Sequence, residues 1–319
     1  LRSSLDYGRG YWTPPLSPRQ AYRLEEKQIN RRLGLPALVS LTDHDNLEAP
    51  KLLRLLPRFA ETPLSVEWSV PFGPTFFHVG VHHLPPAQAA DVMSRLAAYT
   101  AMPSNAALHD CLDMLHAISQ VLLVLNHPLW DEKPVGMTEH RRTLFALLEF
   151  AGSRLHALEV NGLRSAAENR LVVQLGDERG LPVVAGGDRH GCEPNAILNL
   201  SRCGCMDEFV QEIRTERTSH IVYMPQYREA LAWRTMQTVL DILRDHPKNI
   251  EGRRIWMERV FYRQADGTSM PLSTLWADRA VPPIMSAITG AIRLAQWRGV
   301  HYALKTLLRL QAHSGAASF

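Results

Sequence analysis

Apolar residues along the first two-thirds of the chain fall into two alternating rhythms. Short runs in which nearly every position is hydrophobic read as buried strands: PALVSLT, LSVEWSV, TFFHVGVHH, QVLLVLNHP, HALEVNG, LPVVAGG and SHIVYMP. Longer stretches with helical spacing lie between them. SPRQAYRLEEKQINRRLG opens on Ser-Pro and ends on Gly34. Residues 47–60 read as a helix interrupted at Pro57, and helices follow over 86–100 and 104–118. SAAENRLVVQLGDERG is a helix closed by Gly180, and PFGP between the second and third runs is a strong turn signal.

Strands alternating with helices predict a mostly parallel α/β architecture, and fully apolar strands predict a sheet covered on both faces. The number of repeats predicts a closed or nearly closed barrel over residues 1–224. From residue 225 the pattern changes. YREALAWRTMQTVLDILRDH and IMSAITGAIRLAQWRGVHYALKTLLRLQ show helical spacing, and RRIWMERVFYRQADGTSMPLS between them reads as irregular and rich in arginine and aromatics. Residues 225–319 are therefore expected to form a mainly helical extension. Packing on the barrel or a dimer contact is the favoured role for its cationic, aromatic last helix, with a membrane surface or another partner as the alternative.

Composition changes this picture little. The 319 residues are 45% hydrophobic and 21% charged, which suits an ordinary globular chain. The net charge of +3 implies no global attraction to nucleic acid, and no recognised nucleic-acid motif is present. From residue 225 onward there are 13 Lys and Arg against 7 Asp and Glu, a modest basic surplus. No apolar run of about 18 residues is present to span a membrane. The start, LRSSLDYGRG, lacks both an initiator Met and the apolar core of a signal peptide. Cys111, Cys192, Cys203 and Cys205 are too few for a disulfide framework, and the spacing of Cys192, Cys203 and Cys205 departs from the usual zinc knuckles. Reduced thiols in a cytoplasmic protein are the plainer expectation.

Candidate chemistry is concentrated at the strand ends. His44 follows ALVSLTD, Glu67 lies in LSVEWS, His78 in TFFHVGV, His127 after VLLVLN, and Asp188 and His190 after VVAGG. In parallel α/β barrels the C-terminal strand ends converge on one mouth, so residues far apart in sequence meet there. Neutral imidazoles and carboxylates suit Zn, Mn or Fe, and a pair of ions activates water for displacement at phosphorus. Each residue also has a structural explanation. His78 reads as a core histidine, Glu67 as a local cap or pair, His127 as a turn residue before Pro128, and Asp43 and Asp45 as caps of the following helix. Their joint placement favours metal.

LVSLTDHDN, VEWS with FHVGVHHL, LNHP and VVAGGDRHG resemble, in order and approximate spacing, four motifs of the PHP (polymerase and histidinol phosphatase) family, over residues 1–205. The resemblance implies a distorted seven-stranded β/α barrel with two divalent ions, Mn, Zn or Fe, and a third if an upstream H-x-H exists. It implies His44, Glu67, His78, His127, Asp188 and His190 as ligands, with Glu67 bridging and Asp43 holding His44 from behind. Family members open on H-x-H, whereas this chain opens LRSSLDYGRG, which puts Arg2 at the second histidine and Asp6 near a further ligand position.

The expected reaction is hydrolysis of a small phosphate ester or nucleotide by metal-activated hydroxide, with Asp188 orienting the attacking water or taking its proton. Arg2, Arg164 and Arg189 are candidates for gripping the phosphate, and Asn161 for a polar contact. Two other readings stand beside it: a degraded barrel serving as a binding or regulatory module, and an amidohydrolase-like hydrolase with similar ligands.

Overall fold

The computed structural model describes residues 9–249, 253–264, 266–277, 281–295, 297, 299–300 and 302–308. Arg2 and Asp6 lie outside the described residues. The chain is mixed α/β and divides into two compact units. The larger contains residues 22–188 and 194–227; the smaller contains residues 1–21, 189–193 and 228–319.

In the larger unit a five-stranded sheet runs in the order β2 (Leu64–Phe72), β3 (Thr75–Leu84), β4 (Leu122–Asn126), β5 (Ala157–Asn161) and β6 (Val183–Gly186). The expected mostly parallel sheet is corrected here. β2, β3 and β4 pair antiparallel, and β4, β5 and β6 pair parallel. The turn at Gly73 is the reason: with φ of 57° it reverses the chain between β2 and β3, and so short a connection can join only antiparallel strands. Helices α3 (Ala89–Ala101) and α4 (Asn105–Ala117) then carry the chain from β3 to β4. α5 (Met137–Ala151) and α6 (Ala166–Arg179) make the parallel crossovers that follow. Ser104 and Ser165 cap α4 and α6 by accepting the amides of Ala107 and Glu168, and Gly180 ends α6 in the left-handed conformation its missing Cβ permits.

Strand alternation sorts the side chains cleanly. Val66, Trp68 and Val70 of β2, Val79 and Val81 of β3, Leu123 and Leu125 of β4, and Leu158 and Val160 of β5 pack in one core with α3 to α6. Across the sheet, Leu122, Val124, Ala157 and Val184 pack under Val210 and Ile213 of α7 (Met206–Arg214). Register places Glu67 opposite Gly80, His78 opposite Asn126, Glu159 opposite Val184 and Asn161 opposite Gly186. These residues belong to the α7-covered face, at the edge where its apolar lining gives way to polar groups.

Three further expectations change. PALVSLT is not a strand: residues 35–42 form no ladder, and the segment meets the sheet through the Ser40 side chain, 2.8 Å from Ser65 Oγ and 3.1 Å from His82 Nδ1, before His44 bridges Glu67 in parallel. Pro36 removes one ladder donor, and Leu35 and Leu38 are exposed rather than buried. SHIVYMP supplies β8 (His220–Tyr223), which pairs antiparallel with the unpredicted β7 (Ile197–Leu200) in a separate two-stranded sheet. At the edge of β6 it is the Asn199 side chain that pairs, accepting the Ala185 amide at 2.8 Å and donating to its carbonyl at 3.1 Å.

In the smaller unit the stretch read as irregular is a hairpin, β9 (Val260–Arg263) and β10 (Ser269–Pro271), turned at Gly267 with φ of 85°. β1 (Gly10–Trp12) pairs antiparallel with β9. Helices α8 (Leu231–Leu243) and α11 (Pro283–Ala295) bear out the helical periodicity of this region. No helix among the described residues is long and apolar enough to cross a membrane.

Candidate metal centre

The larger unit brings four of the sequence-predicted ligands together, His44, His78 and His127 gathering around Glu67. His44 stands at a bend between two backbone hydrogen bonds, Glu67 N to Asp43 O at 3.0 Å and Asp45 N to Glu67 O at 2.9 Å. Asp45 Oδ1 adds the amide of Ser69 at 2.7 Å. The loop is thereby tied to β2 on both sides of the histidine. Asp43 Oδ2 accepts the Ala49 amide at 3.3 Å, in α2 (Glu48–Arg54).

His78 reaches the same place because β3 runs against β4. It lies near the start of β3, yet is paired with Asn126 at the end of β4. His127 follows directly, with φ of 28°, a backbone state uncommon for a residue with a Cβ. Its amide donates to Glu159 Oε2 at 2.8 Å. Asp188 likewise follows β6 with φ of 45°. Strained backbone at two strand ends is the kind of feature that packed surroundings maintain at functional sites.

Donor atoms of His44, Glu67 and His78 all lie within 4.8 Å of one another. Glu67 presents its two oxygens to different neighbours. Oε1 accepts from Asn126 Nδ2 at 3.0 Å and stands 3.2 Å from His127 Nε2 and 3.6 Å from His78 Nδ1; Oε2 is 3.8 Å from His44 Nε2. His78 Nδ1 and His127 Nε2 face each other at 3.3 Å. Glu67, His78 and His127 are buried, whereas the His44 side chain is 46% exposed and marks the open side of the cluster.

Electrostatics follow from this crowding. Burial pushes the Glu67 carboxyl up, but the His127 hydrogen bond, with the surrounding imidazoles, outweighs it and holds the group well below the usual carboxylate range. Burial drives His78 down to about 3, so its imidazole is neutral. For His127, burial lowers the pKa, but the bond to Glu67 and the nearby Glu159 and Asp188 carboxylates win and raise it to about 9. An ionised carboxylate facing several imidazole nitrogens is a donor set that fits a divalent cation of the Zn, Mn or Fe type.

Three residues were missed in the sequence. Glu159 is buried on β5; Oε2 takes the His127 amide and, at 3.1 Å, Asn161 Nδ2. A Cβ on Gly186 would overlap its carboxylate, so glycine is required beneath it. Burial, reinforced by Glu67 and Asp188, raises Glu159 to about 7. Asn126 anchors Glu67. Trp130 carries the Arg164 guanidinium 4.1 Å above its ring. A lone acid inside an apolar strand was the available signal for Glu159, the same signal that marked Glu67.

Arg164 Nη2 donates to Asp188 Oδ2 at 3.1 Å, so those two predicted residues meet in the larger unit. Asn161 Oδ1 accepts the Leu163 amide at 2.7 Å and shapes the turn leading to Arg164. His190 and Arg189 belong to the smaller unit, where the His190 ring stands edge-on to Trp12 at 5.5 Å and Arg189 acts electrostatically on Glu193. Among the cysteines, Cys203 donates to Glu212 Oε2 at 2.8 Å, and the amide of Cys192 donates to Asp241.

No family model matches the chain, and no curated protein matches it. Solved structures similar to it include an amidohydrolase from Chromobacterium violaceum with bound sulfate and no metal. That likeness has 17% identity and a TM-score of 0.38, and covers 68% of this chain and 89% of the other. A proposed metal-dependent phosphoesterase from Bifidobacterium adolescentis is similar at 15% identity and a TM-score of 0.39, covering 64% of this chain and 91% of the other. Likeness this remote decides nothing about chemistry, which rests on the residues themselves.

Proposed function

We propose that the chain is a metal-dependent hydrolase whose reaction is hydrolysis of a phosphate ester. The observation that carries the proposal is the buried Glu67 carboxylate with His44 on one oxygen and His78 and His127 on the other. On this reading the five-stranded sheet is wall to a distorted (β/α)7 barrel of the PHP type, and Glu67, His44, His78, His127, Asp188 and His190 would hold two cations, with Asp6 as an additional ligand.

A divalent cation held here would lower the pKa of a bound water and neutralise developing charge on phosphoryl oxygens. The protein's own groups do the rest. Asn126 and His127 fix the orientation of Glu67, and the Glu159 bond to the His127 amide fixes that imidazole's backbone. Asp188 orients the attacking water or accepts its proton. Arg164, held over Trp130 and against Asp188, grips the substrate phosphate on one side; Arg189 and Arg2 are its proposed companions. Half-exposed His44 lies where substrate enters. Four cysteines without a disulfide suit a cytoplasmic setting.

The test is elemental analysis of purified protein, paired with Mn-dependent hydrolysis of a generic phosphate ester. Bound metal in at least one equivalent, with turnover abolished by chelation and restored by Mn, is expected. Absence of metal after Mn and Zn supplementation overturns the proposal. Metal-dependent cleavage of amides with no cleavage of phosphate esters transfers the site to amidohydrolase chemistry.

A further inference from the structure

The near-neutral chain is the sum of two oppositely charged units. The smaller holds 17 Lys and Arg against 9 Asp and Glu, a surplus of +8; the larger holds 18 against 23, a balance of −5. A basic surplus alone makes a solvated face as readily as a binding face. The smaller unit adds a specific arrangement to it.

On the three-stranded sheet, Tyr11 and Phe261 are register partners whose rings stack at 5.3 Å with 13° between planes. The Arg253 guanidinium lies 5.4 Å over Phe261, and that of Arg263 lies 5.9 Å over Tyr11. The four side chains make one row of guanidinium, ring, ring, guanidinium. Alternation puts Tyr11, Phe261 and Arg263 on the same face as Ser269 and Pro271. Tyr11, Arg253, Arg263 and Ser269 are exposed. Sheet cohesion accounts for the stacked rings. It does not account for two exposed arginines with no carboxylate within 4.0 Å among the described residues, in a unit where Arg244 and Arg293 pair with Asp241 and Asp245.

We propose that this face binds single-stranded nucleic acid. Arg253 and Arg263 contact phosphates, and unstacked bases lie against the outer guanidinium planes at the two ends of the row, which the rings behind them hold in place. An acidic peptide would use the charge but leave the π surfaces idle. A duplex keeps its bases stacked on each other, so it cannot use them. Three-residue strands span about 10 Å, enough for about two nucleotides, so the contact is short and strongly dependent on salt.

The test uses the full chain in EDTA and a short fluorescein-labelled oligothymidylate, read by fluorescence anisotropy over a salt series. It needs no metal and no turnover, so its outcome is independent of the hydrolase proposal. Replacing both arginines (Arg253→Ala with Arg263→Ala) is expected to reduce the slope of log affinity against log salt by about 1.4, or two phosphate contacts at about 0.7 each. Tyr11→Leu is expected to weaken binding at least about 5-fold with the slope unchanged, because the ring that holds the Arg263 guanidinium as a stacking plane is lost and charge is not. Arg253→Lys with Arg263→Lys, which preserves the charge if the alanine pair fails to fold, should keep the slope and lose affinity. No binding at low salt, or an unchanged slope in the double alanine variant, overturns the proposal. So does tighter binding of a duplex, of heparin or of anionic vesicles than of the oligonucleotide.

Discussion

Glu67 Oε1 lies 3.2 Å from His127 Nε2 although 60 residues separate the two in the chain. The carboxylate comes from the middle of one strand and the imidazole from just past the end of another, and the register of β3 between them fixes the distance. If the pair belongs to a metal centre, Glu67→Gln keeps the hydrogen-bonding shape and removes the charge. Metal content by elemental analysis should fall below half that of the wild type, and phosphate-ester turnover should drop at least about 100-fold, beyond what a supporting residue costs. The circular dichroism spectrum should not change. Full metal loading in this variant would remove Glu67 from the centre.

Glu159 acts through the His127 backbone, which is testable apart from activity. Glu159→Gln retains an acceptor for the His127 amide while removing a buried charge. Thermal stability of the metal-free protein at pH 8 should be unchanged or higher. Mn affinity measured by calorimetry should fall about 10- to 100-fold, the usual cost of losing a group that supports a ligand. Gly186→Ala pushes the new methyl into the Glu159 carboxylate. Overpacking of that kind costs about 1–3 kcal/mol, readable as a shift in urea midpoint.

Trp130 supports Arg164 rather than touching Glu67. Trp130→Ala should raise KM for a phosphate ester several-fold while kcat changes less than 2-fold, roughly the loss of a partly buried cation–π contact of about 1 kcal/mol. Trp130→Phe should recover most of the difference. An equal fall in kcat with KM unchanged would place Trp130 in the chemical step instead.

His156 predicts an acid limb of stability away from the centre. Its Nδ1 accepts the Leu123 amide at 2.9 Å, leaving Nε2–H for His116 Nδ1 at 3.1 Å. Burial, then the Arg214 charge, lowers His156 to about 3. A depressed folded pKa contributes stability that is complete above the ordinary value of about 6.5 and lost as pH falls toward 3. The urea midpoint of metal-free protein should therefore decline from pH 7 to pH 4. His156→Gln should flatten that decline and cost about 1–3 kcal/mol at pH 7, since the Leu123 amide needs its acceptor. His127, raised to about 9, works in the opposite sense, its contribution fading as pH rises from about 6.5 through 9.

How much of this could be read from residue order depends on the range of the interactions involved. Local periodicity was enough for α3, α4 and α6 and for the buried strands around Val66, Val79, Leu123 and Leu158, because apolar spacing and the Ser104, Ser165 and Gly180 caps act within a few residues. The same local logic picked out Glu67, His78 and His127 as polar residues placed in or just after apolar runs. It failed for PALVSLT, where apolar composition suggested burial and the tertiary structure supplied side-chain contacts and one bridge to the sheet but no continuous ladder. It failed for the arginine-rich hairpin too, since β9 is completed by β1, about 250 residues away.

The sequence by itself determined the alternation of elements and the kinds of donor available, through backbone propensity and the hydrophobic pattern. Only the tertiary structure decided which donors meet. Strand direction and register set the distances at which carboxylates and imidazoles act. The reversal at Gly73 brings His78 to Glu67, and the space above Gly186 admits Glu159 beneath His127.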